Sequence, residues 1–122
     1  MKKVEAVIRP DRLQAVQDAL DALGTSGLTV TEVLGCGAQR GYTEMYRGAR
    51  ANISLQRKVK VEAVVGDSMV EAVIDAISGA ARTGEVGDGK IFVLAVDDGV
   101  RIRTGERGDA IVRHLAPERW GH

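Results

Sequence analysis

The segment from Thr83 to Arg103, TGEVGDGKIFVLAVDDGVRIR, carries the residues best suited to chemistry. Gly84, Gly87 and Gly89 fall close together, Lys90 follows, an apolar run covers Ile91 to Val96, and Arg101 and Arg103 come on alternate positions. Glycine lacks a Cβ, so a glycine-rich loop can turn its N–H groups toward an anion. Lys90 adds a point charge at the loop's exit, and Arg101 and Arg103 project to one side if that segment is extended. The pattern suits the holding of a polyphosphate. It is neither a Walker A loop nor a GxGxxG fingerprint, because Gly-Asp-Gly-Lys lacks the spacing of both and no Ser or Thr follows the lysine. Taken alone, the stretch also reads as a glycine-rich turn that feeds a buried strand and is followed by two solvated arginines.

A second candidate is the segment from Ala38 to about Gln56, where no clean hydrophobic period holds. Loops this long inside a small domain are generally functional or mobile. From Gln39 to Lys60 the basic residues Arg40, Arg47, Arg50, Arg57, Lys58 and Lys60 face a single acid, Glu44, so a basic projection is expected on a chain that is neutral as a whole. A solvated flexible loop is the alternative.

The elements that must position these segments are legible from periodicity. Lys3–Arg9 alternates, with Val4, Ala6 and Ile8 on one side, and predicts a half-buried strand stopped by Pro10. Asp11 and Gln14 have the spacing of a capping box, and Leu13, Val16, Leu20 and Leu23 predict an amphipathic helix ending at Gly24. Leu28–Leu34 is β-branched and predicts a second strand, broken by Gly35 and Gly37. Lys58–Val65 alternates with Val59, Val61, Ala63 and Val65 inward, a third strand. Asp67 is expected to cap a second helix with the stripe Val70, Val73, Ile74 and Ile77, in which Gly79 weakens the last turn. Ile91–Val96 is a fourth strand, Asp97-Asp98-Gly99 a turn, and Val100–Arg103 a further extended run. The order predicts an α+β, ferredoxin-like βαββαβ domain over residues 1–112, with two helices on one face of an antiparallel sheet and residues 113–122 as a tail. Val7, Val33 and Val64 are expected on the uncovered face, where copies of the chain could associate.

Composition sets the limits. At 122 residues and 44% apolar, the chain is one domain with a single core. The 17 basic and 17 acidic residues leave no global field favouring nucleic acid or an anionic membrane. The lone Cys36, read as a small loop-edge hydrophobe, excludes an internal disulfide framework, and His114 and His122 lack metal-ligand spacing. The basic start MKKVEAVIRP meets Glu5 before any apolar stretch long enough for a signal or a span, so a soluble cytoplasmic protein is expected.

These features together resemble the PII signal-transduction proteins from Met1 to about Ile111. The matching stretches are MKKVEAVIRP, LTVTEVLGCG, GYTEMYRGA, KVKVEAVV and, most specifically, ARTGEVGDGKIFV with VRIRTGERGDA. The resemblance implies a non-enzymatic homotrimer that binds ATP or ADP in clefts between subunits, often with 2-oxoglutarate and Mg2+ beside ATP. Such a protein reports nitrogen, carbon and energy status through a long T-loop, here about residues 37–56. It implies that Gly87, Asp88, Gly89 and Lys90 surround the phosphates, with Arg101 and Arg103 completing the charge from across the cleft. Thr29, Gly35, Gly37, Glu62 and Val64 would surround the adenosine. Gln39 would contact the metal, and Gln39, Gly41 and Lys58 the 2-oxoglutarate, with Lys58 on its distal carboxylate. Magnesium's preference for an oxygen octahedron suits a shell shared between phosphates, the 2-oxoacid and the Gln39 carboxamide.

The T-loop departs from the family's pattern. Ala51 stands where many PII proteins carry a tyrosine that receives a nucleotide, Arg50 and Ser54 replace acidic positions, and Ala49 stands where some photosynthetic members carry a phosphorylated serine. Tyr42, Glu44, Tyr46, Arg47 and Arg50 remain as expected partner-docking residues, Arg47 at the tip. The expected partner is an ammonium or other transporter, which would recruit the chain to the membrane without insertion, or a metabolic enzyme. The alternative within the family is a paralogue that reads adenylates, with bicarbonate as a second effector, for another transport or carbon-fixation partner. An RNA-binding module of this fold needs stacking aromatics on its central strands, and only Phe92 lies on a predicted strand. An enzyme is disfavoured, since the chain shows no Ser-His-Asp set, metal cluster or paired carboxylates on a common element.

Overall fold

The computed structural model describes residues 1–25, 27–35 and 55–112. Strand β1 spans Lys2–Ile8, helix α1 Leu13–Ala22, strand β2 Thr29–Gly35, strand β3 Gln56–Val65, helix α2 Val70–Ala81 and strand β4 Lys90–Ala95. All three pairings are antiparallel, in the order β2-β3-β1-β4. This is the ferredoxin-like arrangement predicted from the order of elements. Each strand lies within two residues of its predicted bounds, and Gly35 is the last residue of β2, paired with Gln56.

The period-two pattern decides what is buried. Val4, Ala6 and Ile8 of β1 and Val59, Val61, Ala63 and Val65 of β3 pack beneath Val16 and Leu20 of α1 and Val73, Ile77 and Ala81 of α2. A slip of one residue between β1 and β3 would turn both sets toward solvent, so the burial of each strand fixes the register of the other. Helix α1 closes with Gly24 at φ +74° and the bonds Gly24 N to Asp21 O (2.9 Å) and Thr25 N to Leu20 O (3.4 Å), a Schellman ending.

Both predicted helix caps are corrected. No side chain caps α1, because a 3-10 turn over Pro10–Arg12 leads into it and Arg12 N bonds Arg9 O at 3.0 Å. Gln14 instead donates to Asp18 one turn on, at 2.9 Å. Helix α2 likewise follows a 3-10 turn over Asp67–Met69, and the Asp67 carboxylate accepts from the α-ammonium of Met1 at 2.8 Å. In both places the tight turn supplies the bonds that a capping side chain would have made. The extended run expected over Val100–Arg103 is a turn. Val100 bridges Arg107, Arg101 N bonds Glu106 O (2.8 Å), and Gly105 N bonds Arg101 O (2.7 Å), folding the segment back on itself.

The sheet face away from the helices carries Val7, Val33 and Val64, all half-buried, as predicted. It is not purely apolar. Lys3, Glu5, Lys60 and Glu62 share it by register, and the Lys3 ammonium lies 2.9 Å from Glu62 and 3.6 Å from Glu5. Phe92 and Leu94 of the edge strand β4 stand on the same face, exposed at 54% and 42%. Among the described residues no helix is long and apolar enough to cross a membrane.

Candidate functional site

The loop between α2 and β4, residues 82–89, comes back over the end of β1. Gly84, Gly87 and Gly89 take φ of +91°, +105° and +100°. Gly89 passes so close to β1 that a Cβ would stand 1.7 Å from the Val7 carbonyl oxygen, so only glycine fits there. A Cβ on Gly87 would meet the Arg9 guanidinium at 3.3 Å and the Lys58 ammonium at 3.5 Å. Lys58 donates to Gly87 O at 2.8 Å. Two cations, Arg9 just past the end of β1 and Lys58 on β3, therefore converge on the crest of the glycine loop, and Lys90 begins β4 immediately after it.

Asp88 ties the loop together from inside. Its Oδ2 accepts the N–H groups of Thr83 and Gly84, both at 2.8 Å, and its Oδ1 accepts the Thr83 hydroxyl and the Arg9 Nε at 3.1 Å. The bonds from the Thr83 hydroxyl and from the Thr83 and Gly84 N–H groups, with Arg9 adding to them, hold this carboxyl well below the ordinary carboxylate range. Asp88 is thus a fixed anion whose oxygens are engaged by Thr83, Gly84 and Arg9, and the side chains of Lys58 and Lys90 on either side of the loop are basic.

The structure brings Gly87, Asp88, Gly89, Lys90 and Lys58 into one neighbourhood. Thr29 and Glu62 form a directly opposed pair across β2 and β3, with Val64 two residues further along the same face. Glu62 is held below the usual carboxylate range, chiefly by its hydrogen bond from Lys3, and Lys3 is raised in return. Gly35 sits at the other end of β2. Arg101 and Arg103 are not beside the loop in the same chain. Lys90 pairs with Val7 and Ala95 with Lys2, so the two arginines leave from the opposite end of β4, roughly 17 Å from Lys90 along the strand. Arg101 is engaged there by Glu106 at 2.8 Å and by the Ile111 carbonyl at 3.2 Å. Gly37, Gln39, Gly41, Tyr42, Glu44, Tyr46, Arg47 and Arg50 lie outside the described residues, as do Cys36, Ala49, Ala51, Ser54 and the tail from residue 113.

Sequence reasoning missed Arg9 and Thr83. Arg9 reads as the outward end of a strand, and its reach to a loop 79 residues later depends on tertiary structure. Thr83 offered a local signal, since a Thr-Gly pair five and four residues before an aspartate can place two N–H groups on one carboxylate. Also unforeseen is an open groove of about 360 Å³ beside the loop, between α2 at Ile74, Ile77 and Ala81 and β4 at Lys90 and Ile91. Among the described residues no cluster of His, Cys, Asp and Glu could hold a metal ion.

The family model for nitrogen regulatory protein P-II matches residues 1–106. The curated nitrogen regulatory protein P-II of Rhodospirillum rubrum is 54% identical over 112 residues, covering 91% of this chain and all of that protein. That of Azospirillum brasilense is 55% identical over 112 residues, with the same coverage. The Nostoc punctiforme protein is 53% identical over 112 residues, covering 92% of this chain and all of its own length. The match thus runs through the sheet, the glycine loop over Lys58 and Arg9, and both arginines, and the chain belongs to the nitrogen regulatory P-II family, whose members are signalling proteins and not enzymes.

Proposed function

We propose that the chain is a cytoplasmic regulator that reads ATP or ADP, and 2-oxoglutarate with Mg2+ beside ATP, and conveys the reading to a transporter or metabolic enzyme through residues 37–56. The observation that carries this reading is the Lys58 ammonium on the Gly87 carbonyl, which sets a cation at the crest of a loop whose glycines no other residue could replace without strain. Gly87, Gly89 and Lys90 would hold the phosphates. Thr29, Glu62 and Val64, grouped on one sheet face, suit an adenosine, and Gly35, at the opposite end of β2 in the same chain, would join them, with Gly37, only from a neighbouring copy. Lys58 would take the distal carboxylate of 2-oxoglutarate, with Gly41 beside it. With no metal cluster among the described residues, Mg2+ would arrive on the nucleotide's phosphates and be completed by Gln39.

A trimer fits the same geometry. Arg101 and Arg103 stand far along β4 from Lys90 of their own chain, so any contribution to the phosphates comes from a neighbouring copy. Phe92 and Leu94 on the uncovered face are apolar surface that such a neighbour would bury. Calorimetric titration of ATP and ADP, then of 2-oxoglutarate with Mg-ATP saturating, tests the ligands, and light scattering tests the trimer. Nucleotide binding to a trimer with a 2-oxoglutarate heat is the expected result. Absence of nucleotide binding refutes the reading, and nucleotide binding without any 2-oxoglutarate heat replaces it with the adenylate-reading paralogue.

A further inference from the structure

The P-II relatives are matched over their whole length by 91–92% of this chain, and the family match begins at residue 1, so about a tenth of the chain, at its C-terminal end, lies beyond them. Residues 113–122 there read RHLAPERWGH and hold the only tryptophan, Trp120, directly after Arg119. Val112, the last described residue, ends a 3-10 turn over Gly108–Val112 and is half-buried in the wall of an open groove of about 370 Å³. The groove lies at the Lys2 end of β1, the opposite end from the glycine loop. Met1, Met69 and Val112 give it an apolar lining, and Asp67, Ser68 and Asp109 a polar edge. Asp67 is engaged by the Met1 ammonium at 2.8 Å, with Lys2 adding attraction. Asp109, 86% exposed in its side chain, stands 3.9 Å from the same ammonium, beyond hydrogen-bond reach.

We propose that residues 113–122 fold back onto this groove, with Trp120 against Met69 and Met1 and Arg119 on the Asp109 carboxylate. The chain leaves the described structure from the groove's own wall, and the eight residues from Val112 to Trp120 reach at most about 28 Å, ample for a return to it. Pro117, midway, favours a turn. The chemistry is complementary at both ends of the contact. Methionine is a soft, adaptable partner for an aromatic ring, and an arginine fork suits an exposed carboxylate that has no hydrogen bond from the nearby ammonium. Tethering at Val112 makes the docking intramolecular, at an effective concentration on the order of millimolar, so modest contacts suffice. The docked segment is a strap from the end of the chain to the 3-10 turn that leads into α2. It stands apart from the nucleotide reading, because the groove and the glycine loop occupy opposite ends of the sheet.

The single tryptophan makes the test direct. Fluorescence of Trp120 is measured in the full-length wild type, Asp109→Arg, Arg119→Asp and the double variant, with a free peptide of residues 113–122 as the solvated reference. Wild-type emission is expected to lie to the blue of the peptide's and to resist quenching by acrylamide. Each single variant sets like charges against each other and should move both readings toward the peptide, and the double variant, which restores the pair with its signs exchanged, should return them. Amide hydrogen exchange at Ser68 and Met69 should be faster in Trp120→Gly than in the wild type. Emission matching the free peptide would overturn the proposal, as would single variants that leave Trp120 buried, which would put the tail on another surface such as a neighbouring copy. A double variant that restores nothing, or unchanged exchange in Trp120→Gly, would overturn it equally.

Discussion

The carbonyl oxygen of Val7 lies 1.7 Å from the place a Cβ of Gly89 would occupy, so β1 and the loop entering β4 touch backbone to backbone. This contact sets where Lys90 begins its strand, because Lys90 is the residue paired with Val7. It also makes one glycine answerable both for stability and for the shape of the site.

Gly89→Ala is accordingly expected to be among the more damaging single substitutions in the loop. A φ of +100° alone costs a side chain about 1–3 kcal/mol, and the overlap with a backbone atom cannot be relieved by a rotamer. Thermal unfolding should show a drop of several degrees or more and no upward shift with Mg-ATP. Gly84→Ala is the control, since its φ of +91° is similar but its Cβ would meet nothing within 4 Å. Equal losses in the two variants would show that the Val7 contact is unimportant.

Acid should weaken the fold partly through Asp88. Its carboxyl is depressed in the folded state, so the stability it contributes is present above the unfolded value of about 3.9 and is lost as pH falls below that value toward the folded one. Melting temperatures measured from pH 7 down to pH 2 should therefore fall more steeply below about pH 4.5 for the wild type than for Asp88→Asn. Parallel curves would mean that the Thr83, Gly84 and Arg9 bonds to Asp88 contribute nothing to folding.

Lys58→Ala separates the two proposed ligands. The variant should lose 2-oxoglutarate binding in calorimetry with Mg-ATP saturating. It should retain ATP binding, weakened by no more than on the order of tenfold, because the Gly87 carbonyl that Lys58 holds is left without its charged donor. Retained 2-oxoglutarate binding would remove Lys58 from that role.

The chain is not expected to be nucleotidylylated on residues 37–56. Ala51 has no nucleophilic oxygen, Tyr42 and Tyr46 stand at other positions of the sequence, and a transferase must align one particular hydroxyl, where about 1 Å can cost on the order of a hundredfold in rate. Intact-mass spectrometry after incubation with a uridylyl- or adenylyltransferase and its nucleotide, beside a tyrosine-bearing P-II protein, checks this. A stoichiometric adduct on Tyr42 or Tyr46 would refute it.

The sequence by itself determined the order of elements and the core. Alternation in Val4, Ala6 and Ile8 and in Val59, Val61, Ala63 and Val65, and the helical spacing of Val16 with Leu20 and of Val73 with Ile77, are signals carried by residues a few positions apart, and every one of these side chains is buried. The glycines of the loop and their lysine were legible for the same reason. Only the tertiary structure decided the partners. That Arg9 meets Asp88, that Lys58 meets Gly87 and that Asp67 meets the Met1 ammonium depends on β1 pairing with β3 on one side and β4 on the other, which no local period encodes. The same register carried Arg101 and Arg103 to the far end of β4 from Lys90. Their closeness to the loop along the sequence gave no measure of that separation, because a strand turns sequence distance directly into spatial distance.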